Sequence, residues 1–173
     1  MARELLIFRH GKSDWTTAAP TDFHRPLARR GRKAVKQMGR WLKEQKLLPD
    51  HIVSSPAKRA HQTAERLCRS ADLPKNSIHW EQNIYEADVE ALLGVLAACP
   101  GSAQRVMLIG HNPGLEELVQ YLSGGVGEPP PDSTFLPTAA LAHLKTPNTW
   151  KNLGAGGAKL LSITRPRELE TTE

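Results

Sequence analysis

The sequence predicts an α/β sandwich built on a mainly parallel sheet. Short apolar runs, "ELLIF", "HIVSS" and "RVMLI", alternate along the chain with longer stretches whose apolar residues recur at helical spacing. Glycine or a Ser-Pro or Asn-Pro pair follows each of the clearer runs, as where a strand gives way to a helix. No internal repeat appears among the 173 residues, and no second domain is needed. The expected organisation is one domain over residues 1–165 and a frayed tail over 166–173.

The elements follow in order. Glu4 to Phe8 is the first strand, and Ser13 to Arg25 is a polar loop. Leu27, Ala34, Val35, Met38, Trp41 and Leu42 then mark a long helix ending near Lys46. "HIVSS" is a short buried strand. Ser55 is expected to cap the second helix, with Pro56 in its first turn and Ala60, Ala64 and Leu67 on its buried face. "NSIHW" is a third strand, and Asp88 caps a helix whose Leu92, Leu93 and Leu96 face inward. "RVMLI" is the central strand. Asn112-Pro113 is expected to cap and start a helix buried through Leu115, Leu118, Val119 and Leu122. "SGGVGEPPPDS" is a breaker-rich loop near the site. "TAALAHL" and "AKLLSIT" are two late strands separated by "NLGAGGA".

Composition narrows the class. Hydrophobic residues make up 39% and charged residues 24%, as in a globular soluble chain. No window holds the eighteen or so apolar residues of a membrane span, and no signal-peptide core precedes the first strand. Cys68 and Cys99 lack metal or redox spacing and are expected in the core. A reduced, cytoplasmic protein is expected. The net charge of +5 is uneven: residues 1–50 carry twelve Lys and Arg against five Asp and Glu. The excess gathers in "RPLARRGRKAVKQMGRWLKEQK", which reads as a solvated helix face or a footprint for an acidic partner. No zinc-finger, RNP, KH or aromatic-interleaved basic pattern supports a nucleic-acid partner.

The chemistry gathers at strand ends. His10 stands where the first strand stops, after Arg9 and before Gly11, which permits a tight backbone approach or a positive φ. An imidazole exposed there can attack phosphorus through one ring nitrogen while the other donates a hydrogen bond, often to a backbone carbonyl. His111 repeats the pattern after "RVMLIG", so two imidazoles converge on one edge of the sheet. Arg9 and Arg59 offer planar forks that match phosphate oxygens, whereas Lys58, Arg66 and Arg69 read as exposed helix residues. No carboxylate cluster suggests a metal.

In this order and spacing, "LLIFRHGKSDW", "SSPAKRAHQTAE" and "IGHNPG" resemble the histidine phosphatase family, the phosphoglycerate-mutase-like superfamily. The resemblance is strongest to its short single-domain bacterial branch, the phosphohistidine phosphatases, and extends through "LPTAALAHLK" and "GGAKLLSITRP". It implies a three-layer sandwich with a mixed, mostly parallel sheet. It further implies that His10 becomes phosphorylated, that Arg9 and Arg59 clamp the phosphoryl group, and that His111 completes the pocket. Arg9, His10, Arg59, His111 and Asn112 form the expected phosphate-binding set. The family's proton donor lies in the segment that here reads "EQNIYEADVEAL", where Glu86 is the best candidate acid and Glu81 reads as solvent-facing.

Two departures bear on substrate. Thr16 stands where larger members often have asparagine, and the chain lacks their long lid insertion. A shallow, open pocket would admit a phosphorylated side chain of another protein. The expected activity is cofactor-free hydrolysis of protein phosphohistidine by a monomer, releasing inorganic phosphate, with neither nucleic acid nor membrane as partner. A phosphatase of a small phosphomonoester or nucleotide is the alternative, and a non-catalytic phosphate-binding module is the alternative of another class. Phosphoglycerate mutase activity is less expected, because it needs an enclosed site.

Overall fold

The structure is a computed structural model that describes residues 3–125 and 134–169. Six strands form one sheet: β1 (Arg3–Arg9), β2 (His51–Ser54), β3 (Ile78–Trp80), β4 (Arg105–Gly110), β5 (Leu141–Thr146) and β6 (Lys159–Thr164). Their order across the sheet is β3-β2-β4-β1-β5-β6. β1, β2, β3 and β4 are mutually parallel, β5 runs antiparallel to β1, and β6 pairs antiparallel with β5 and so returns to the direction of β1; the sheet is mixed, as expected.

β1 shows how the layers arise. Its side chains alternate across the sheet. Leu6 and Phe8 pack with Val35, Met38 and Leu42 of α1 (Arg29–Glu44) and Ala60, Ala64 and Leu67 of α2 (Lys58–Ser70). Leu5 and Ile7 pack with Leu92 and Leu96 of α3 (Val89–Ala97) and Leu115, Leu118 and Leu122 of α4 (Gly114–Ser123). Burial on both faces explains why β1 reads as a continuous apolar run rather than an alternating one. Each fully buried leucine contributes about 1.5–3 kcal/mol of apolar transfer. Leu93 is only half-buried at the rim of its cluster. Cys68 and Cys99 are free and buried, and burial pushes both thiols up to about 11.

Two helix starts differ from the sequence reading. α2 begins at Lys58 with Ala57 as its N-cap, so Pro56 lies outside the first turn. Ser55 does not cap it; the Ser55 hydroxyl accepts the Ala57 N–H two residues on, at 3.2 Å, in a local turn. α4 begins at Gly114, and the Asn112 side chain is spent elsewhere, donating to the Leu136 carbonyl at 2.9 Å. α1 ends at Glu44 with Gln45 as its C-cap, near Lys46 as expected, and Lys46 turns the chain at φ 58°. Asp88 does cap α3, accepting from the Ala91 N–H at 2.9 Å.

Residues 166–169, expected in the frayed tail, instead form the short helix α5 (Pro166–Leu169). Leu169 packs against the α1–α2 cluster, and Arg165 is tied to Glu168 and to the Phe135 carbonyl. Residues 170–173, and the part of the breaker-rich loop at 126–133, lie outside the described residues. Among the described residues no helix is long and apolar enough to cross a membrane.

Candidate active site

The parallel pairing of β1 with β4 brings the two histidines together. Arg9 stands opposite Gly110 in the ladder, and His10 and His111 each follow by one residue. Their ring centroids lie 5.1 Å apart, tilted by 51°. This is the carboxyl edge of the parallel strands, where such folds place ligands.

His10 is 6% exposed, so the imidazole is buried rather than exposed as expected. Gly11 serves close approach, not a positive φ: a Cβ there would lie 2.9 Å from Val35 Cγ2 and 3.0 Å from the Gly31 carbonyl. His10 Nδ1 lies 2.6 Å from the Gly11 carbonyl oxygen. A carbonyl only accepts, so Nδ1 carries the proton and Nε2 keeps its lone pair. Desolvation, then the neighbouring His111, Arg59 and Arg9, pushes its pKa well below the ordinary histidine value. The ring is therefore neutral, which a nucleophile requires.

His111 is held differently. Its Nε2 lies 2.8 Å from Ser55 Oγ, and its buried Nδ1 has no partner. The Ser55 hydroxyl accepts from Ala57 and keeps one proton and a second lone pair for Nε2. When it donates that proton to Nε2, the ring proton sits on Nδ1, which is then an unspent donor. Desolvation and the Arg59 charge lower the His111 pKa to about 4. Tyr85 packs edge-on against this ring at 5.5 Å between centroids.

Arg59, the second residue of α2, is 6% exposed. Its guanidinium is oriented by one loop residue: Nη1 donates to the Asp22 carbonyl at 2.8 Å and Nη2 to the Asp22 carboxylate at 3.0 Å. That carboxylate also accepts from Tyr85 at 2.7 Å and pairs with Arg25. The Tyr85 hydrogen bond, with Arg25 and Arg59, holds Asp22 at about 2. Arg9 donates from Nη1 to the Leu136 carbonyl at 3.2 Å, the same oxygen that Asn112 uses. The Nε atoms of Arg9 and Arg59 are buried without partners.

A cavity of about 440 Å³ opens beside these groups, walled by Asp22, Arg59, Tyr85, Glu86, His111 and Asn112 with their neighbours. His10 and Arg9 are not among the wall residues. Glu86 is exposed, stands in the left-handed region at φ 56°, and makes no hydrogen bond or ion pair with a described residue. Thr16 lies away from this wall, bonded to Asp14.

Sequence reasoning thus found the four basic groups but missed Asp22, Tyr85 and Ser55. Asp22 lies in an aperiodic loop, 37 residues from its partner Arg59, and no spacing signals that contact. Ser55 stands before Pro56 as a helix cap would, but its hydroxyl serves the Ala57 N–H and His111 Nε2 instead.

The model of the histidine phosphatase superfamily (branch 1) matches residues 5–129. The phosphohistidine phosphatase SixA of Escherichia coli is 32% identical over 144 residues, covering 82% of this chain and 84% of its own. The structure of a protein histidine phosphatase SixA complexed with tungstate superposes with a TM-score of 0.78 at 28% identity, covering 96% of this chain and 99% of that one. The mycobacterial glucosyl-3-phosphoglycerate phosphatase shares the fold, at a TM-score of 0.65 and 16% identity over 92% of this chain and 97% of its own. The buried histidine pair at the carboxyl edge and the matching family model agree: the chain belongs to the histidine phosphatase superfamily, branch 1.

Proposed function

We propose that this phosphatase hydrolyses phosphohistidine on another protein, through a phosphorylated His10. The observation that carries the reading is the His10 Nδ1–H donated to the Gly11 carbonyl, which presents Nε2 as a neutral nucleophile. His10 Nε2 attacks phosphorus as the P–N bond to the substrate imidazole breaks, and the leaving nitrogen takes up a proton. Arg9, Arg59 and His111 Nδ1 hold the equatorial oxygens, which carry the charge of the transition state. Unpartnered buried donors on all three side chains support that role. Water then attacks the phospho-His10 intermediate, breaks its P–N bond and releases inorganic phosphate. Asn112 lies at the same wall and steadies the Leu136 carbonyl beside Arg9. Glu86, on the cavity wall, is the proposed group for exchanging a proton with the leaving group.

The cavity wall favours this substrate over a small polyanion. Glu86, Asp88 and Glu117 line it and enter no ion pair with a described residue, so a second phosphate or carboxylate on the ligand meets like charge. An imidazole leaving group is neutral or cationic. SixA relatives are phosphohistidine phosphatases by name, and one binds tungstate, a tetrahedral oxyanion like phosphate. The free, buried cysteines fit a reducing, cytoplasmic setting.

The test compares kcat/KM on a phosphohistidine-bearing protein with a panel of sugar phosphates and nucleotides, and traps the phosphoenzyme in acid-free conditions. The expected result is preference for phosphohistidine and label on His10. A higher kcat/KM for a small ester would assign the alternative substrate class. No turnover on any substrate would assign a binding module.

A further inference from the structure

We propose that the basic face of α1 is a docking surface for an acidic face of the protein substrate, a partner assignment that rests on the phosphohistidine reading above. α1 presents seven Lys and Arg against one Glu. Three arginines, Arg29, Arg30 and Arg32, crowd its first turn, and no acidic residue stands there. Cations at that end oppose the helix dipole, so folding alone disfavours them.

Other elements add to the same charge. On one side of α1, a well of about 780 Å³ lies between α1 and α2, where Arg32, Lys36 and Arg40 face Arg66 and Arg69. Burial and the Arg32 and Arg69 charges lower the Arg66 pKa, a sign of like charges held together. On the other side, a well of about 410 Å³ is lined by Lys12, Arg30, Lys33 and Arg167, and by Arg165, which pairs with Glu168 just outside the wall. Lys33 belongs to both wells, so the surface is continuous. Among the described residues, Arg29, Arg30, Arg32, Lys33, Lys36 and Arg40 enter no ion pair. The two carboxylates of the first well, Glu44 and Asp72, stand near the C-terminal end of α1, and Asp72 pairs with Lys43 there.

The surface starts at the reaction centre. Lys12 follows His10 by two residues, and its carbonyl accepts the Ala28 N–H at 2.8 Å where α1 begins. A Cβ on Gly31 would lie 2.2 Å from that carbonyl oxygen, so the helix start abuts the His10 loop. From there α1 runs about 24 Å away. The cavity wall on the α3–α4 side is acidic, so the mouth is bipolar. A phosphohistidine flanked by acidic surface would therefore be oriented, with its acidic side over α1. A protein fits better than a nucleic acid: neither well contains an aromatic side chain on which a base could stack.

The experiment uses the full chain and two peptides that share one phosphohistidine. One carries an eight-residue Glu tail, about 26 Å when extended, and the other a Ser/Gly tail. The Glu-tailed peptide should show kcat/KM about tenfold higher, mostly through KM, as several screened surface pairs acting together would give. The gap should close as salt shortens the screening length. K33E/K36E/R40E should abolish the preference and leave the Ser/Gly-tailed peptide within about twofold. Fluorescence anisotropy of unphosphorylated Glu-tailed peptide gives a reading independent of turnover, and it should weaken in the same variant. Equal kcat/KM for the two peptides, or binding unchanged by the variant, overturns the docking surface. Tighter binding of a twelve-nucleotide single strand than of the Glu peptide also overturns it, in favour of nucleic acid. Peptide binding through α1 without hydrolysis of either phosphopeptide leaves docking standing and removes the phosphohistidine reading.

Discussion

Asp22 holds Arg59 by two atoms of one residue, accepting Nη1 on its carbonyl at 2.8 Å and Nη2 on its carboxylate at 3.0 Å. The polar loop before α1 thereby fixes the guanidinium on α2. The fork is orientated before phosphate arrives, which reduces the ordering needed on binding.

Asp22→Ala should lower kcat/KM on phosphohistidine by up to about a hundredfold, the order for a misplaced clamp. Asp22→Asn keeps an oxygen acceptor and should restore part of it. The carboxyl is depressed to about 2, so its stabilisation is present above the unfolded value near 4 and is lost as pH falls towards 2. Melting of wild type and D22N should thus differ above about pH 4 and converge by about pH 2. A difference that persists at pH 2 would assign the effect to shape rather than charge.

The histidine pair should stay neutral in the ligand-free protein well below the ordinary imidazole range. His111 is lowered to about 4 and His10 is also well below its usual value. The unfolded chain then binds more protons than the native one between about pH 6.5 and 4, so stability rises with pH across that window. Nitrogen NMR of the two rings should show no midpoint near 6.5. A titration there in either ring would contradict the desolvated pocket.

Ser55→Ala tests the tautomer argument. Losing the hydroxyl frees His111 Nε2 and leaves the Ala57 N–H without its acceptor, at a cost of about 1–3 kcal/mol in stability. If Ser55 also fixes the His111 proton on Nδ1, kcat should drop about tenfold while KM changes little. A lower melting temperature with unchanged kcat would make Ser55 structural only.

Arg59→Ala should lower kcat/KM by about a hundredfold or more, because a donor on developing charge is worth a few kcal/mol. R66A and R69A should scarcely change turnover of a small, uncharged-tail substrate, since Arg69 is exposed, Arg66 is half-buried rather than exposed as expected, and neither lines the catalytic cavity. Equal losses in all three would indicate long-range steering rather than contact.

Glu86→Gln separates leaving groups. On an alkyl phosphomonoester, whose alkoxide needs a proton, turnover should fall strongly; on phosphohistidine the loss should be much smaller. Profiles of both substrates across about pH 5 to 9 give the comparison. Small, equal effects would remove Glu86 from proton transfer.

Much of the site was readable because it sits at the ends of regular elements. "FRHG" and "LIGHN" are strands that stop, and strand order in a parallel sheet sends both stops to one edge. Leu5 to Phe8 and Val106 to Ile109 marked the core through unbroken apolar runs, which only doubly covered strands show. What escaped was contact between distant, aperiodic segments. Asp22 reaches Arg59 and Tyr85, and Leu136 accepts from Arg9 and Asn112, through loops with no period to betray them. Ser55 and Asn112 misled for a related reason: next to proline each looks like a local cap, and tertiary partners outbid that local use.

The ladder between Arg9 and Gly110 has a further meaning. Neighbouring strands in any sheet lie about 4.8 Å apart, and the His10 and His111 rings stand 5.1 Å apart. The separation of the two rings thus matches the spacing of the strands that carry them, reproduced one residue beyond the last rung. The pocket walls can be rebuilt for another ligand without resetting that gauge. Conversely, a change deep under the floor can spoil it: a Cβ on Gly110 would press to 2.9 Å against Ile84 Cγ2, at the rung that aligns the two imidazoles.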